Sequence, residues 1–178
     1  MASLRTRFQS AADDASGGYA PFSDPAWQNP SGALADGGEP AKVVTVDVEV
    51  TTNQLVLTNT VDKVPAGATI DGIEYHFKIQ TDSDGIPGLP QIAYQTVRPV
   101  VGGVATGANR AIAQQQTVTA GPPVTQTFGG AADKFGLTPT VSDVNGTGFG
   151  VAVAVDGTNI GASEVKMHDV EVTIHYTE

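Results

Sequence analysis

Residues 73–80 read IEYHFKIQ: Ile73, Tyr75, Phe77 and Ile79 are apolar, and Glu74, His76, Lys78 and Gln80 between them are polar. A strand turns successive side chains to opposite faces, so this period of two describes a strand with one face in a core and the other in water. The same period returns at 43–50, where Val44, Val46, Val48 and Val50 oppose Thr45, Asp47 and Glu49, and in Phe149, Val151, Val153 and Val155. Less regular strand candidates fall at 54–59, 91–101, 110–119 and 124–128, separated by the turn clusters DSDGIPG, VGG and AGPP. In 165–176, VKMHDVEVTIHY, the apolar residues are Val165 and Met167 and then Val170, Val172, Ile174 and Tyr176. That one-residue change of phase predicts a β-bulge near His168 or Asp169.

No long amphipathic helix is visible in 41–178. About eight short strands with Gly and Pro turns predict an all-β antiparallel β-sandwich. A jelly-roll-like arrangement is preferred over an immunoglobulin-like one, whose Cys pair and core Trp are missing. There is no tandem repeat, which removes solenoids and propellers.

Residues 1–40 differ: small and polar residues dominate, Pro recurs at Pro21, Pro25, Pro30 and Pro40, and no period persists. Such a segment cannot build a core alone, so it is expected to be an extended N-terminal arm and linker, with the sandwich domain at 41–178. A short helical turn around Leu4 to Ala12 is expected, with Leu4, Phe8 and Ala11 or Ala12 on one face. Within this polar setting Phe8, Tyr19, Phe22 and the only tryptophan, Trp27, stand out as candidate partner-binding anchors. Trp27 has a second reading, as a seal on the edge or end of the sandwich.

Composition excludes several classes. At 178 residues the chain can bury a core without covalent staples. With no Cys it has no disulfides, thiolate zinc sites or cysteine nucleophile. Nine Lys and Arg face 19 Asp and Glu, a net charge of -10. Binding to phosphate backbones rests on basic side chains, so nucleic acid is not an expected partner. No apolar run reaches the roughly 18 residues that span a bilayer, so no membrane association is expected. The start, MASLRTRFQS, has no apolar stretch of a leader, and the chain reads as soluble and unprocessed.

Candidate chemistry is thin. There is no G-x-S-x-G, and His76, His168 and His175 lie in strand patterns. The stretch DSDG at 82–85 begins as an EF-hand loop does, but IPGLPQI after it lacks a third acidic ligand and a closing Glu, so it reads as a turn. Carboxylates for glycoside hydrolysis would come from Asp47, Glu49, Glu74, Asp169 or Glu171, which all alternate outward. An aromatic platform for sugars is disfavoured because Tyr75, Phe77, Phe149 and Tyr176 fall on inward faces. The Gly-rich run GGAADKFG at 129–136 opens no helix and does not suit a phosphate. The expectation is no enzyme activity, no cofactor, no metal and no catalytic residue.

Three stretches together carry a resemblance: WQNPSGALADGG at 27–38, VPAGATIDGI at 64–73, and FGGAADKFGLT at 128–138 with FGVAVAV at 149–155. In order and spacing they resemble a family of tailed-bacteriophage virion structural proteins, all-β modules that serve as head decoration, capsid-fibre or tail accessory proteins. The chain departs from that pattern at Phe135, where the family commonly carries Trp. The resemblance implies a non-enzymatic bacteriophage virion protein, with a capsid decoration or cement protein held by its N-terminal arm as the leading form. It further implies a homotrimer, with the major capsid protein or other virion proteins as partners and the virion as location. The alternative from a different class is a carbohydrate-binding adhesion module on the virion surface.

Overall fold

The structure is a computed structural model that describes residues 1–17, 25–45, 51–83, 90–157 and 163–178. Its strands are β1 (Ala2–Asp14), β2 (Ala41–Thr45), β3 (Gln54–Thr60), β4 (Thr69–Ser83), β5 (Pro90–Val101), β6 (Val104–Ala105), β7 (Thr117–Thr119), β8 (Val124–Gly130), β9 (Gly150–Gly157) and β10 (Ser163–Thr177). Two short helices, α1 (Arg110–Gln114) and α2 (Val141–Asn145), lie in the connections. Every strand pairing is antiparallel, in the order β6-β5-β9-β3-β1-β10-β4-β8, with β2 on β10 and β7 on β5. The chain is an all-β antiparallel sandwich, as expected.

The fold turns on β1. Ala2–Arg7 pair with β10 in one layer, and Phe8–Asp14 pair with β3 in the other, so this strand joins the layers. Where β1 leaves β10, β2 takes over the same edge, from Met167↔Ala41 to Ser163↔Thr45. The expectation of an extended arm over 1–40 is therefore corrected for Ala2–Asp14, as is the helical turn around Leu4 to Ala12. Three apolar residues at helical spacing stabilise a turn weakly, whereas two open strand edges satisfy the backbone N–H and C=O groups of the whole segment. The alternation that matters is Thr6 and Phe8 inward, with Arg5 and Arg7 outward onto Glu171 and Asp169.

The core between the layers is built from the odd residues of 73–79 and the even residues of 170–174, each fully buried. The expected bulge is present: the β10–β4 register shifts between Met167 and Asp169. It lets Val165 and Met167 share the inner face with Val170, Val172 and Ile174. Tyr75, Phe77, Tyr94, Phe128 and Phe135 interlock, with ring centroids 4.7 Å apart at Tyr94–Phe128 and 5.5 Å at Tyr75–Phe135. The Tyr75 hydroxyl donates to the Gly150 carbonyl at 2.9 Å and so ties β4 to β9 across the layers. Burial raises the pKa of both phenols, Tyr75 and Tyr94.

Two assignments differ from expectation. In β2 the inward residues are Ala41, Val43 and Thr45, while Val44 is exposed, so the expected phase is inverted. Pairing sets this, because Val43 lies opposite the buried Val165. Residues 46–50 lie outside the described residues. The strand expected at 110–119 is the helix α1 followed by β7, because Asn109 caps Ala111 through its side-chain oxygen. The same Asn109 amide accepts from Val97 N–H and donates to the Gln95 carbonyl, standing in for a strand along the edge of β5 between β7 and β6.

Candidate functional site

Of the four candidate anchors, Phe8 is 2% exposed and Trp27 is 3% exposed, both within the chain's own core. Tyr19 and Phe22 lie outside the described residues. As placed here, Phe8 and Trp27 are structural and offer no free surface to a partner, because each ring is already covered by the two layers. Trp27 sits where the layers separate, between the end of β1 and the start of β2. Its backbone N–H donates to Asp13 Oδ1 at 2.7 Å, and its indole Nε1 donates to the Asn53 carbonyl at 2.9 Å. Asn53 in turn donates from Nδ2 to Asp13 Oδ2 at 2.8 Å. Gln28 pairs with Lys42 beside β2, so residues 27–42 span from one layer to the other. This is the sealing role, and it explains a tryptophan in a Pro- and Gly-rich stretch.

The other motif stretches have comparable duties. A Cβ at Gly72 would meet the Gly130 carbonyl oxygen, one at Gly129 the Ile73 carbonyl oxygen, and one at Gly150 the Leu57 carbonyl oxygen. Gly32 lies equally close to Glu39 and Pro40. In the run after Phe128, Asp133 receives two hydrogen bonds from the Arg110 guanidinium, 2.7 and 2.6 Å, and a third from the Phe135 N–H at 2.8 Å. The guanidinium carbon of Arg110 lies 5.5 Å from the centre of the Phe135 ring. The Gly-rich run is thus a pinned turn.

The outer face of the β1-β10-β4-β8 layer collects the titratable residues. Glu171 pairs with Arg5 at 2.5 Å, and Asp169 pairs with Arg7 at 3.0 Å. Glu74 lies 3.4 Å from His76 and 3.6 Å from His175, and His76 Nε2 is 2.9 Å from the Thr173 hydroxyl. His168, carried outward by the bulge, meets Gln80 at 3.0 Å. Burial lowers the pKa of His76, and burial raises that of Asp169 against the pull of Arg7. No three His, Asp or Glu among the described residues are arranged to hold a metal ion. The candidate carboxylates Glu74, Asp169 and Glu171 are engaged in this lattice; Asp47 and Glu49 lie outside the described residues. Asp82 and Ser83 of the DSDG stretch belong to β4, where Asp82 pairs with Lys166, while Asp84 and Gly85 also lie outside. Among the described residues no helix is long and apolar enough to cross a membrane.

A concavity lies on the opposite layer. It is a groove of about 460 Å³ lined by Asp14, Ser16, Gln54, Thr96, Arg98, Gly103, Val104, Ala105 and Asn109. The strand order places β1 and β3 on one side and β5 on the other, with β9 between them. Register puts Ala152 opposite Arg98 and Ala154 opposite Thr96, and both alanines are buried beneath that level. The sequence reading missed this groove.

No protein-family model matches the chain, and no curated protein matches it. A solved structure described as "CBM4 structure and function" is similar at 14% identity, covering 97% of this chain and 94% of that one, with a TM-score of 0.38. A superposition this loose leaves the strand order of the present chain to be read from its own pairing.

Proposed function

We propose that the chain is a non-enzymatic structural protein of a tailed-bacteriophage virion, a decoration or cement module of the particle surface that works as a homotrimer on the major capsid protein. The observation that carries this reading is the placement of the family-like stretches. Gly32, Gly72, Gly129 and Gly150 each lie where a second backbone crosses too closely for a side chain, and Trp27 and Asp133 pin the adjoining turns. Motifs that fix crossings between strands and turns suit a module whose task is to keep its shape on a particle. Attachment then passes through the outer surface of the sandwich or through segments such as that of Tyr19 and Phe22, because Phe8 and Trp27 are already enclosed.

The carbohydrate-binding alternative, in its aromatic-platform form, draws no support from the described rings. Phe8, Trp27, Tyr75, Phe77, Tyr94, Phe128, Phe135 and Phe149 are all buried, and Tyr176 is partly buried against the core. The particle assignment is tested by adding the purified protein to virions that lack it, made from a genome that encodes the chain. The expected result is co-sedimentation at a fixed stoichiometry and a higher temperature of particle disruption. Absence of the protein from wild-type virions by mass spectrometry overturns the assignment.

A further inference from the structure

Of the four arginines in the chain, Arg5, Arg7 and Arg110 each hold a carboxylate. Arg98 has no ion pair or hydrogen bond among the described residues, and it is exposed in the wall of the groove. Free hydrogen-bonding groups surround it. Among the described residues the Thr96 hydroxyl has no partner although Thr96 is only 6% exposed, and the Gln54 amide has none either. Asp14 faces them with one oxygen, Oδ1, accepting from the Ser16 N–H at 2.8 Å. The Ser16 side chain and backbone hold the Asp14 carboxyl below its ordinary range, so it stays an acceptor near neutrality. Asn109 is a fixed wall, its side chain committed to Gln95, Val97 and Ala111.

We propose that this groove is a binding site for one acidic sugar unit, its carboxylate on Arg98 and its hydroxyls on Thr96, Gln54 and Asp14. Three features select that class. A guanidinium without a carboxylate of its own presents a planar fork that matches a carboxylate. The opposing Asp14 accepts hydroxyl protons but repels a second negative charge, and the chain's net charge of -10 adds to that repulsion, so a phosphate dianion or a nucleic acid is a poor fit. The alternation of donors and acceptors around a volume of about 460 Å³, within the usual range of small-ligand sites, suits a compact polyol better than a peptide, which would need apolar pockets. The inference is independent of the particle assignment.

The test is a titration, by calorimetry and by amide chemical shifts, with oligosaccharides ending in glucuronate, galacturonate or N-acetylneuraminate, each beside its neutral parent, and with acetate alone. At least one acidic sugar is expected to bind with a Kd of about 1 mM or tighter, with shifts centred on Gln54, Thr96 and Arg98. Neutral parents and acetate should bind at least about tenfold more weakly, since each lacks half of the contacts. Arg98→Gln should weaken binding by about tenfold or more while leaving the melting temperature unchanged, and Lys134→Gln, which removes an equal charge elsewhere, should not. The proposal is overturned if none of the acidic sugars binds at about 10 mM, if a neutral parent binds equally well, or if Arg98→Gln and Lys134→Gln behave alike.

Discussion

The indole N–H of Trp27 donates to the backbone carbonyl of Asn53 at 2.9 Å, and this bond closes the end of the sandwich at which β1 has crossed from one layer to the other. Asp13 completes the closure by accepting from the Trp27 N–H and from the Asn53 amide. A residue that a polar setting marks as a hook is instead a plug, and its energetics can be read directly.

Trp27→Ala is expected to lower the stability of the isolated protein by about 3–5 kcal/mol, the usual range for deleting a large buried aromatic. Trp27→Phe keeps most of the apolar contact but leaves the Asn53 carbonyl without its donor, so a loss of about 1–3 kcal/mol is expected. Urea unfolding followed by circular dichroism measures both. Equal stability in all three proteins would place Trp27 outside the cooperative fold.

Removal of residues 1–17 should unfold the protein or drive it into aggregates, in contrast to the loss of a dispensable arm. The deletion exposes the edge of β10 from Glu171 to Tyr176 and the edge of β3 from Gln54 to Thr60, and unpaired edges recruit other strands. A synthetic peptide of residues 1–17 added in trans should restore a dispersed amide NMR spectrum. A truncated protein that stays monomeric and melts as the full chain does would mean that β1 contributes little.

How much of this was legible in the sequence follows from the range of the forces involved. Strand alternation is local, so β4, β9 and the bulge of β10 could be read from 73–80, 149–155 and 165–176. The position of β1 could not, because its stability comes from two edges forty or more residues away that the order of the chain does not announce. The phase of β2 failed for the same reason: Val43 and Val44 are chemically alike, and only the register against Val165 chooses between them. The groove was invisible because it is made of ordinary polar residues brought side by side from β1, β3, β5 and the β5–β6 turn.

The glycines separate space from conformation. Gly150→Ala places a methyl group on the Leu57 carbonyl oxygen inside a paired strand, and the backbone there cannot move without breaking the β3–β9 ladder. A loss of more than about 3 kcal/mol, or failure to fold, is expected from overpacking against backbone. Gly37→Ala meets nothing within 4 Å and strains only a φ of +94°, so it should lose about 1 kcal/mol. Expression level and thermal melting of the two variants should differ sharply. Similar behaviour would show that the Gly150 crossing opens at little cost.

The ion-pair lattice on the β10–β4 face predicts a pH dependence with a definite sign. Burial holds the His76 pKa below its ordinary value of 6.5, so in the interval under 6.5 the unfolded chain binds a proton that the folded chain does not, and stability falls as pH falls. His168 is lowered by burial as well and acts in the same direction. Asp169 opposes them: burial raises its pKa above 3.8, so between 3.8 and that raised value the folded chain holds the extra proton and stability rises as pH falls. Glu74, Glu171, Arg5 and His175 also act on His76, the two glutamates favouring its proton and Arg5 and His175 opposing it. Urea midpoints taken at about pH 7.5 and about pH 5.5 should therefore drop on acidification, and less so in His76→Gln/His168→Gln. An unchanged drop in the double histidine variant would assign the effect to other groups.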